Sequence, residues 1–366
     1  MSSLRIVHTE SSLGWGGQEI RILTEAAGML KRGHAVTIVA PEESRIFREA
    51  GERGIPAVAL PIGRKGLRGL FALRRWLKQH PCDVINTHSS TDGWLAAVAT
   101  RLTRHAPPVV RTRHISAAIP DNRSTRWLYQ SATSHIATTG EKLRQQLVHH
   151  NRFDPQRITS VPTGIDTERF SPGDQAAARG QLQLPLDASI VGIVATLRSW
   201  KGHAYLLEAF AQLTDSNALL LIVGDGPQRQ NLQQEIARRG LTERVRMVGN
   251  QHDVVPWLRA MDLFVLPSYA NEGVPQALMQ AMSCGLPVIS TPIGSITEAV
   301  QDDVTGIIVP PRDADRLCQA IRSLLQNPQR RARMSEAARR VALEKFGLDA
   351  MLDKMEAIFT RAARHG

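Results

Sequence analysis

The chain has 366 residues, 42% hydrophobic and 22% charged, with 45 Lys+Arg against 34 Asp+Glu for a formal net charge of +11. That length exceeds one ordinary hydrophobic core and sets two domains as the expectation, while the composition excludes a disordered or fibrous chain. The longest apolar runs, such as 191–197, fall far short of the roughly 18 residues a membrane-crossing helix needs, so no span is predicted.

The polar N-terminus runs straight into a strand-like 4–7, without the basic, apolar and small-residue zones of an export signal. Strand-like runs follow at 4–9, 35–40, 57–60, 84–87, 109–112, 135–138 and 157–161, with helical segments between them. The first helix is placed at 18–32, closed by Gly33, where glycine tolerates the positive φ of a helix end. Pro162, Gly164, Pro172, Gly173 and Pro185 make 162–185 the densest set of breakers, and a linker is predicted there. Strands resume at 190–196, 219–223, 246–248, 263–266, 288–290 and 307–309, and helices close the chain at about 313–326, 328–345 and 347–364. Alternation of this kind predicts an α/β fold of two doubly wound, Rossmann-like domains facing a cleft. The expected boundaries are 1–165, 166–345 and a returning helix at 346–366.

Residues 1–165 carry 23 Lys+Arg against 12 Asp+Glu, and the remainder carries 22 against 22, so the whole excess belongs to the first domain. An anionic partner is expected there. The stretch 64–78 mixes six cations with Leu, Phe and Trp at helical intervals. It reads as an amphipathic helix able to lie on an anionic membrane, beside the plainer reading of core packing under a basic face. Nucleic acid is disfavoured, because aromatics are 5% of the chain and do not interleave with the basic residues. Cys82, Cys284 and Cys318 lie far apart without CxxC spacing, which fits a reducing, cytoplasmic setting.

In open parallel sheets, ligands bind beyond the carboxyl ends of strands, so the turns after strands hold the candidates. Gly16-Gly17 opens the first helix and exposes backbone N–H groups to an oxyanion, unless glycine serves the turn alone. His88 and His114 each follow a strand, the latter beside Arg111 and Arg113, which favour a neutral imidazole and an anionic ligand nearby. Arg198 and Lys201 could close on a diphosphate. Gly224-Asp225-Gly226-Pro227 reads as a strand-turn-helix with Asp225 as a turn former. The N–H groups near Gly273 and Val274, ahead of the helix announced by Pro275, form an anion site. Glu272 just before it suits sugar hydroxyls better than phosphate, and Gln280 lies about two turns further on. Asp313-Ala314-Asp315 is read as helix capping, and no metal-ligand cluster is visible.

Together, Gly16-Gly17, Arg198-x-x-Lys201, Gly224-Asp225-Gly226-Pro227, 161–166 and the Glu272 helix resemble glycosyltransferase family 4 over nearly the whole chain. The resemblance implies the GT-B fold, retaining and metal-independent chemistry, an N-terminal acceptor domain, a C-terminal nucleotide-sugar domain and a final crossing helix. It implies that Arg198 and Lys201 bind the donor diphosphate, Glu272 the donor sugar hydroxyls and His114 a hydroxyl near the reacting carbon. Gly16, Gly17, Gly224, Gly273, Val274 and Gln280 fall on the donor side, with His88, Arg111 and Arg113 toward the acceptor. The family pattern E-x7-E departs here at Gln280, where an amide accepts from one ribose hydroxyl and must donate to the other. Thr163 stands where asparagine is common.

The expected activity is transfer of a hexosyl or N-acetylhexosaminyl group from a nucleotide diphosphate, a uridine one, to a glycan or lipid-linked acceptor. The expected setting is lipopolysaccharide or surface polysaccharide synthesis at the cytoplasmic face of the inner membrane. No cofactor is expected, the nucleotide sugar being a co-substrate. The alternatives are a nucleotide-sugar epimerase or hydrolase and a non-catalytic sugar-nucleotide-binding protein.

Overall fold

The computed structural model describes residues 3–115, 117–214, 217–270 and 272–365. Asn271, within the Glu272 motif, and Gly366, at the end of the expected third segment, lie outside the described residues. The chain forms two compact units, one running to Gly164 and taking in the C-terminal segment from Asp349, the other spanning Ile165–Leu348.

The first unit is built on β1 (Arg5–Thr9), β2 (Ala35–Ala40), β3 (Ala57–Ala59), β4 (Val84–Thr87), β5 (Val109–Arg113), β6 (His135–Thr138) and β7 (Ile158–Ser160). They form one parallel sheet in the order β3-β2-β1-β4-β5-β6-β7. The second unit has β8 (Ser189–Val194), β9 (Ala218–Val223), β10 (Val245–Gly249), β11 (Leu263–Leu266), β12 (Val288–Ser290) and β13 (Gly306–Ile308). These are parallel in the order β10-β9-β8-β11-β12-β13. The central strands are apolar runs because helices cover both faces of a parallel sheet. Ile190, Val191, Ile193, Leu220, Leu221 and Phe264 are accordingly buried.

In each sheet the order reverses once, between β1 and β4 and between β8 and β11. Connections leave in opposite directions there and open a crevice beyond the strand ends.

The first helix, Gly17–Lys31, ends at Arg32, and Gly33 follows with φ +86°. The last helix, Leu348–His365, lies against it in the same unit. Leu352 fills the space over Gly28, where a Cβ would approach to 2.5 Å. Arg32 reaches Asp349, Asp353 and Glu356 at 3.2, 2.7 and 2.9 Å.

The predicted linker is corrected by the structure. Residues 165–185 belong to the second unit, carry the helix Gln175–Gln181, and send Ile165, Phe170, Ala178 and Leu184 into its core. The breakers mark turns around that helix rather than a tether. Pro227 likewise precedes its helix, which runs Arg229–Arg238 behind Gln228.

Candidate functional site

In the second unit the loops beyond β8, β9, β11 and β12 are bound to one another backbone to backbone. The Leu197 N–H donates to Asp225 O at 3.0 Å, and the Gln228 N–H to Leu197 O at 3.0 Å. Gly224, at φ +139°, lies so close to the loop after β8 that a Cβ would stand 2.0 Å from the Ala195 carbonyl oxygen. Asp225 accepts the Gly226 N–H at 2.7 Å and pairs with Arg229 at 3.1 Å, the turn-forming role read from the sequence.

The loops after β8 and β11 meet at the sheet's reversal point. The Tyr269 N–H donates to Trp200 O at 2.8 Å, and Gly202, at φ +80°, sits where a Cβ would come 2.1 Å from the Pro267 oxygen. This close approach brings two predicted residues together: Lys201 Nζ donates to Glu272 Oε1 at 2.7 Å. Ser268 Oγ donates to the same oxygen at 2.6 Å, and among the described residues Oε2 has no hydrogen-bond donor. The loop after β12 closes on this carboxylate's backbone. Gly294, at φ +59°, could carry a Cβ only 2.0 Å from Glu272 O, and the Ser295 N–H donates to Gly273 O at 3.2 Å.

Gly273 and Val274 are buried just before the helix Gln276–Ser283. Gln280 is largely buried one turn into that helix, and its amide makes no hydrogen bond within the described residues. Arg198 is exposed, its guanidinium 5.5 Å from the Trp200 ring centre, and it takes part in no ion pair among the described residues. The arrangement leaves a guanidinium, an ammonium and a fixed carboxylate at the mouth of a doubly wound sheet.

The first unit's reversal point holds a different set. Gly16 and Gly17 lead into a 15-residue helix with no side chain capping its first turn. Glu10, immediately after β1, accepts the Ser12 N–H at 2.7 Å and a short bond from Gln18. Burial, and then the Asp92 and Glu19 carboxylates, push Glu10 well above the usual carboxylate range. Asp92 is fully buried and accepts from Thr9 Oγ1 at 2.8 Å and from the N–H groups of His88 and Ser89 at 2.9 and 3.0 Å. Burial raises its pKa, against those donors.

His88 is buried with both ring nitrogens engaged, Nε2 with His8 Nδ1 at 2.9 Å and Nδ1 with His114 Nε2 at 3.0 Å. It therefore stands behind His114, not at the surface as expected of an acceptor contact. Burial first holds both His88 and His114 well below the ordinary imidazole value, followed at His88 by the imidazoles of His114 and His8 and then Arg21 and Arg111, and at His114 by Arg21, Arg113 and Arg111. Arg111 is buried too, donating to Ser89 O at 3.2 Å and lying 4.8 Å from the Tyr129 ring centre. Arg113 donates to Tyr129 Oη at 3.4 Å and to Ala117 O. Both guanidiniums are spent within the unit, the first because Gly93 leaves the room it fills.

Sequence reasoning missed Glu10, Asp92 and His8. Glu10 carried a signal, a polar residue directly after the first strand, whereas His8 and Asp92 sit inside elements whose neighbours only the packing reveals. The Asp313 side chain caps its helix by accepting the Arg316 N–H at 2.9 Å. Among the described residues no group of three His, Cys, Asp or Glu is placed to hold a metal.

The profile described as Glycosyltransferase Family 4 matches residues 15–169, and that described as Glycosyl transferases group 1 matches residues 174–341. A D-inositol 3-phosphate glycosyltransferase of Geodermatophilus obscurus is 32% identical over 313 residues, 77% of this chain and 67% of the relative. The protein of the same description from Stackebrandtia nassauensis is 30% identical over 88% of this chain and 82% of its own length. The chain belongs to glycosyltransferase family 4. Its GT-B fold is shared with Anabaena HepE, solved in complex with UDP-glucose, at a TM-score of 0.87 over 98% of this chain and 100% of that one, with 21% identity. In this family 4 glycosyltransferase the Lys201–Glu272 pair lies within the span matched by the group 1 profile, and the His88–His114 contact within the span matched by the family 4 profile.

Proposed function

We propose that this family 4 glycosyltransferase moves a hexosyl or N-acetylhexosaminyl group from a uridine-diphosphate donor to a glycan or lipid-linked acceptor, with retention at the anomeric carbon. The observation that carries the reading is the meeting of Lys201 and Glu272 at the reversal point of the second sheet, with Arg198 exposed on the same loop as Lys201. A donor there would find cations for its diphosphate and a carboxylate oxygen for its sugar hydroxyls. HepE, of the same fold, binds UDP-glucose.

In the proposed reaction the bond between the anomeric carbon and the diphosphate oxygen breaks as the acceptor oxygen bonds to that carbon from the same face. The acceptor proton passes to the departing phosphate oxygen. Arg198, Lys201 and the backbone N–H groups at Gly273 and Val274 stabilise the charge that builds on the leaving group. Glu272 and His114 orient the sugar. Gly16 and Gly17 allow close approach of donor or acceptor. His88, Arg111 and Arg113 act from behind the acceptor side, through the groups they hold. No metal or cofactor takes part in the scheme.

The acceptor is placed at an anionic membrane face, in lipopolysaccharide or surface polysaccharide synthesis. Support comes from the helix Leu67–Gln79, which buries Gly69, Leu73 and Leu77 and leaves Leu67 at 71% and Phe71 at 55% exposure beside Arg68 and Arg75. A cavity beside it is lined by Arg74, Lys78, Arg104 and His105. Among the described residues no helix is long and apolar enough to cross a membrane, so contact would be peripheral. The names of the relatives favour a second acceptor, an inositol phosphate.

A mass-spectrometric screen of nucleotide sugars, each paired with lipid-linked glycans and with inositol phosphates, tests donor and acceptor together. Product with a uridine-diphosphate sugar and a lipid-linked acceptor supports the first reading, and product only with inositol phosphate moves the acceptor to the second. Donor binding with no transfer to any acceptor would refute the activity. Flotation with anionic vesicles at low salt tests the membrane contact, which a failure to float would remove.

A further inference from the structure

Three imidazoles form a chain inside the first unit. His8 lies in β1, His88 directly follows β4 and His114 directly follows β5. The two N···N distances are 2.9 and 3.0 Å, and the ring centres are 5.2 Å apart at both steps, the spacing of rings meeting edge to edge through a nitrogen pair. Each contact needs one N–H and one lone pair, so the three tautomers are not independent: all protons sit on Nδ1 or all sit on Nε2.

The inner end decides between them. His8 Nε2 is buried with no hydrogen-bond partner. A buried N–H without an acceptor is rarer and costlier than an acceptor left without a donor. Burial first, and then the Arg21 guanidinium, oppose a second proton on that ring, so His8 carries a single N–H. Nε2 of His8 is therefore the lone pair, and the order runs outward: His8 Nδ1–H to His88 Nε2, then His88 Nδ1–H to His114 Nε2. His114, half-buried, is left with an N–H at Nδ1 for whatever it meets.

We propose that His88 and His8 are positioning residues that hold His114 as its Nδ1–H tautomer, making it a hydrogen-bond donor to a sugar oxygen and never a base toward it. The proposal rests on the reading of His114 as a contact of the sugar. Donation suits a hydroxyl oxygen whose own proton is taken elsewhere, and it fixes the ring plane through a second hydrogen bond at Nε2.

The tautomers are read directly in the ligand-free full chain, labelled with 15N-histidine, by long-range proton–nitrogen correlation. Single His→Gln variants assign the resonances. The expected pattern is Nδ1–H at His8, His88 and His114, the opposite of the form free histidine favours in water. An Nε2–H signal at His88 or His114 overturns the proposal. In His88→Leu the His114 Nε2 resonance is expected to move to that of an imine nitrogen without a hydrogen bond. In the same variant kcat is expected to fall about ten-fold, the scale of one weakened hydrogen bond, with little change in donor KM. His88→Gln, whose amide N–H can return the bond, is expected to recover part of the rate. Wild-type kcat in His88→Leu overturns the positioning role. An unaltered rate in His114→Ala strikes at the sugar-contact reading instead, while the ligand-free spectrum judges the chain of histidines by itself.

Discussion

The two sheets share a strand order around their reversal points and differ in what lies there. Beyond β8 and β11 stand an ion pair and an exposed guanidinium, Lys201–Glu272 and Arg198. Beyond β1 and β4 the ionisable groups are buried and driven toward neutrality: histidines held low, Glu10 and Asp92 held high. One architecture thus supplies one mouth with an exposed charge and one whose histidines and carboxylates are buried and hydrogen-bonded, with its guanidiniums spent within the unit. The sheet fixes where a ligand can enter, and the side chains on a few loop positions decide its polarity.

The comparison breaks most visibly if the charged mouth is emptied. Lys201→Ala and Arg198→Ala are each expected to lower kcat by about 10²–10³-fold, the scale of losing a donor aimed at developing charge. Steady-state rates with the nucleotide sugar found in the screen check this, and near-wild-type turnover in both variants would count against the diphosphate assignment.

Next in size is Gly294→Ala, which forces a left-handed backbone on a residue with a Cβ and drives it onto Glu272 O. A loss of about 1–3 kcal/mol is expected, read as a lower denaturation midpoint, together with weaker donor binding as Glu272 is displaced.

Gln280→Glu restores the carboxylate of the family pattern. About a ten-fold fall in donor KM is expected if the residue meets the ribose, one charge-assisted hydrogen bond being worth that much. An unchanged KM would place Gln280 outside the donor site.

The smallest effect concerns the buried mouth. His8 is pushed down to about 3 by burial and Arg21, from an ordinary value of 6.5. The unfolded chain therefore binds protons that the fold excludes, and the stability tied to His8, His88 and His114 is present above 6.5 and drains as pH falls below it. His8→Gln is expected to give a shallower loss of Tm between pH 7 and pH 5. Glu10 has the opposite sign: its raised pKa contributes stability below the ordinary value of 4.5 that declines as pH rises, so Glu10→Gln is expected to flatten the alkaline side. Equal slopes in wild type and both variants would erase the contrast between the mouths.

Much of this was legible in the sequence because its periodicities are local. Val84–Thr87, His135–Thr138, Leu263–Leu266 and Val288–Ser290 fall where the apolar runs placed them. The 162–185 breakers misled because proline and glycine mark turns without saying what packs on the pieces between, and Ala178 and Leu184 turn out to be core. Lys201 and Glu272 were each recognised singly. Their 2.7 Å contact spans 71 positions in the chain, and no local pattern encodes it.

The amino-acid order by itself determined the number of strands, their parallel alternation with helices, the glycines that permit close turns and the confinement of net positive charge to one unit. Counted over the first unit with its C-terminal segment, that excess is still the full +11, since 349–366 carries three cations and three carboxylates. Tertiary structure alone decided that Arg111 and His88 would be buried, that three histidines distant in sequence would share protons, and that Glu10 would resist ionisation. The reason is physical: propensity and hydrophobic period act over neighbouring residues, whereas desolvation and hydrogen-bond partnership depend on which groups the completed core brings within 3 Å of one another.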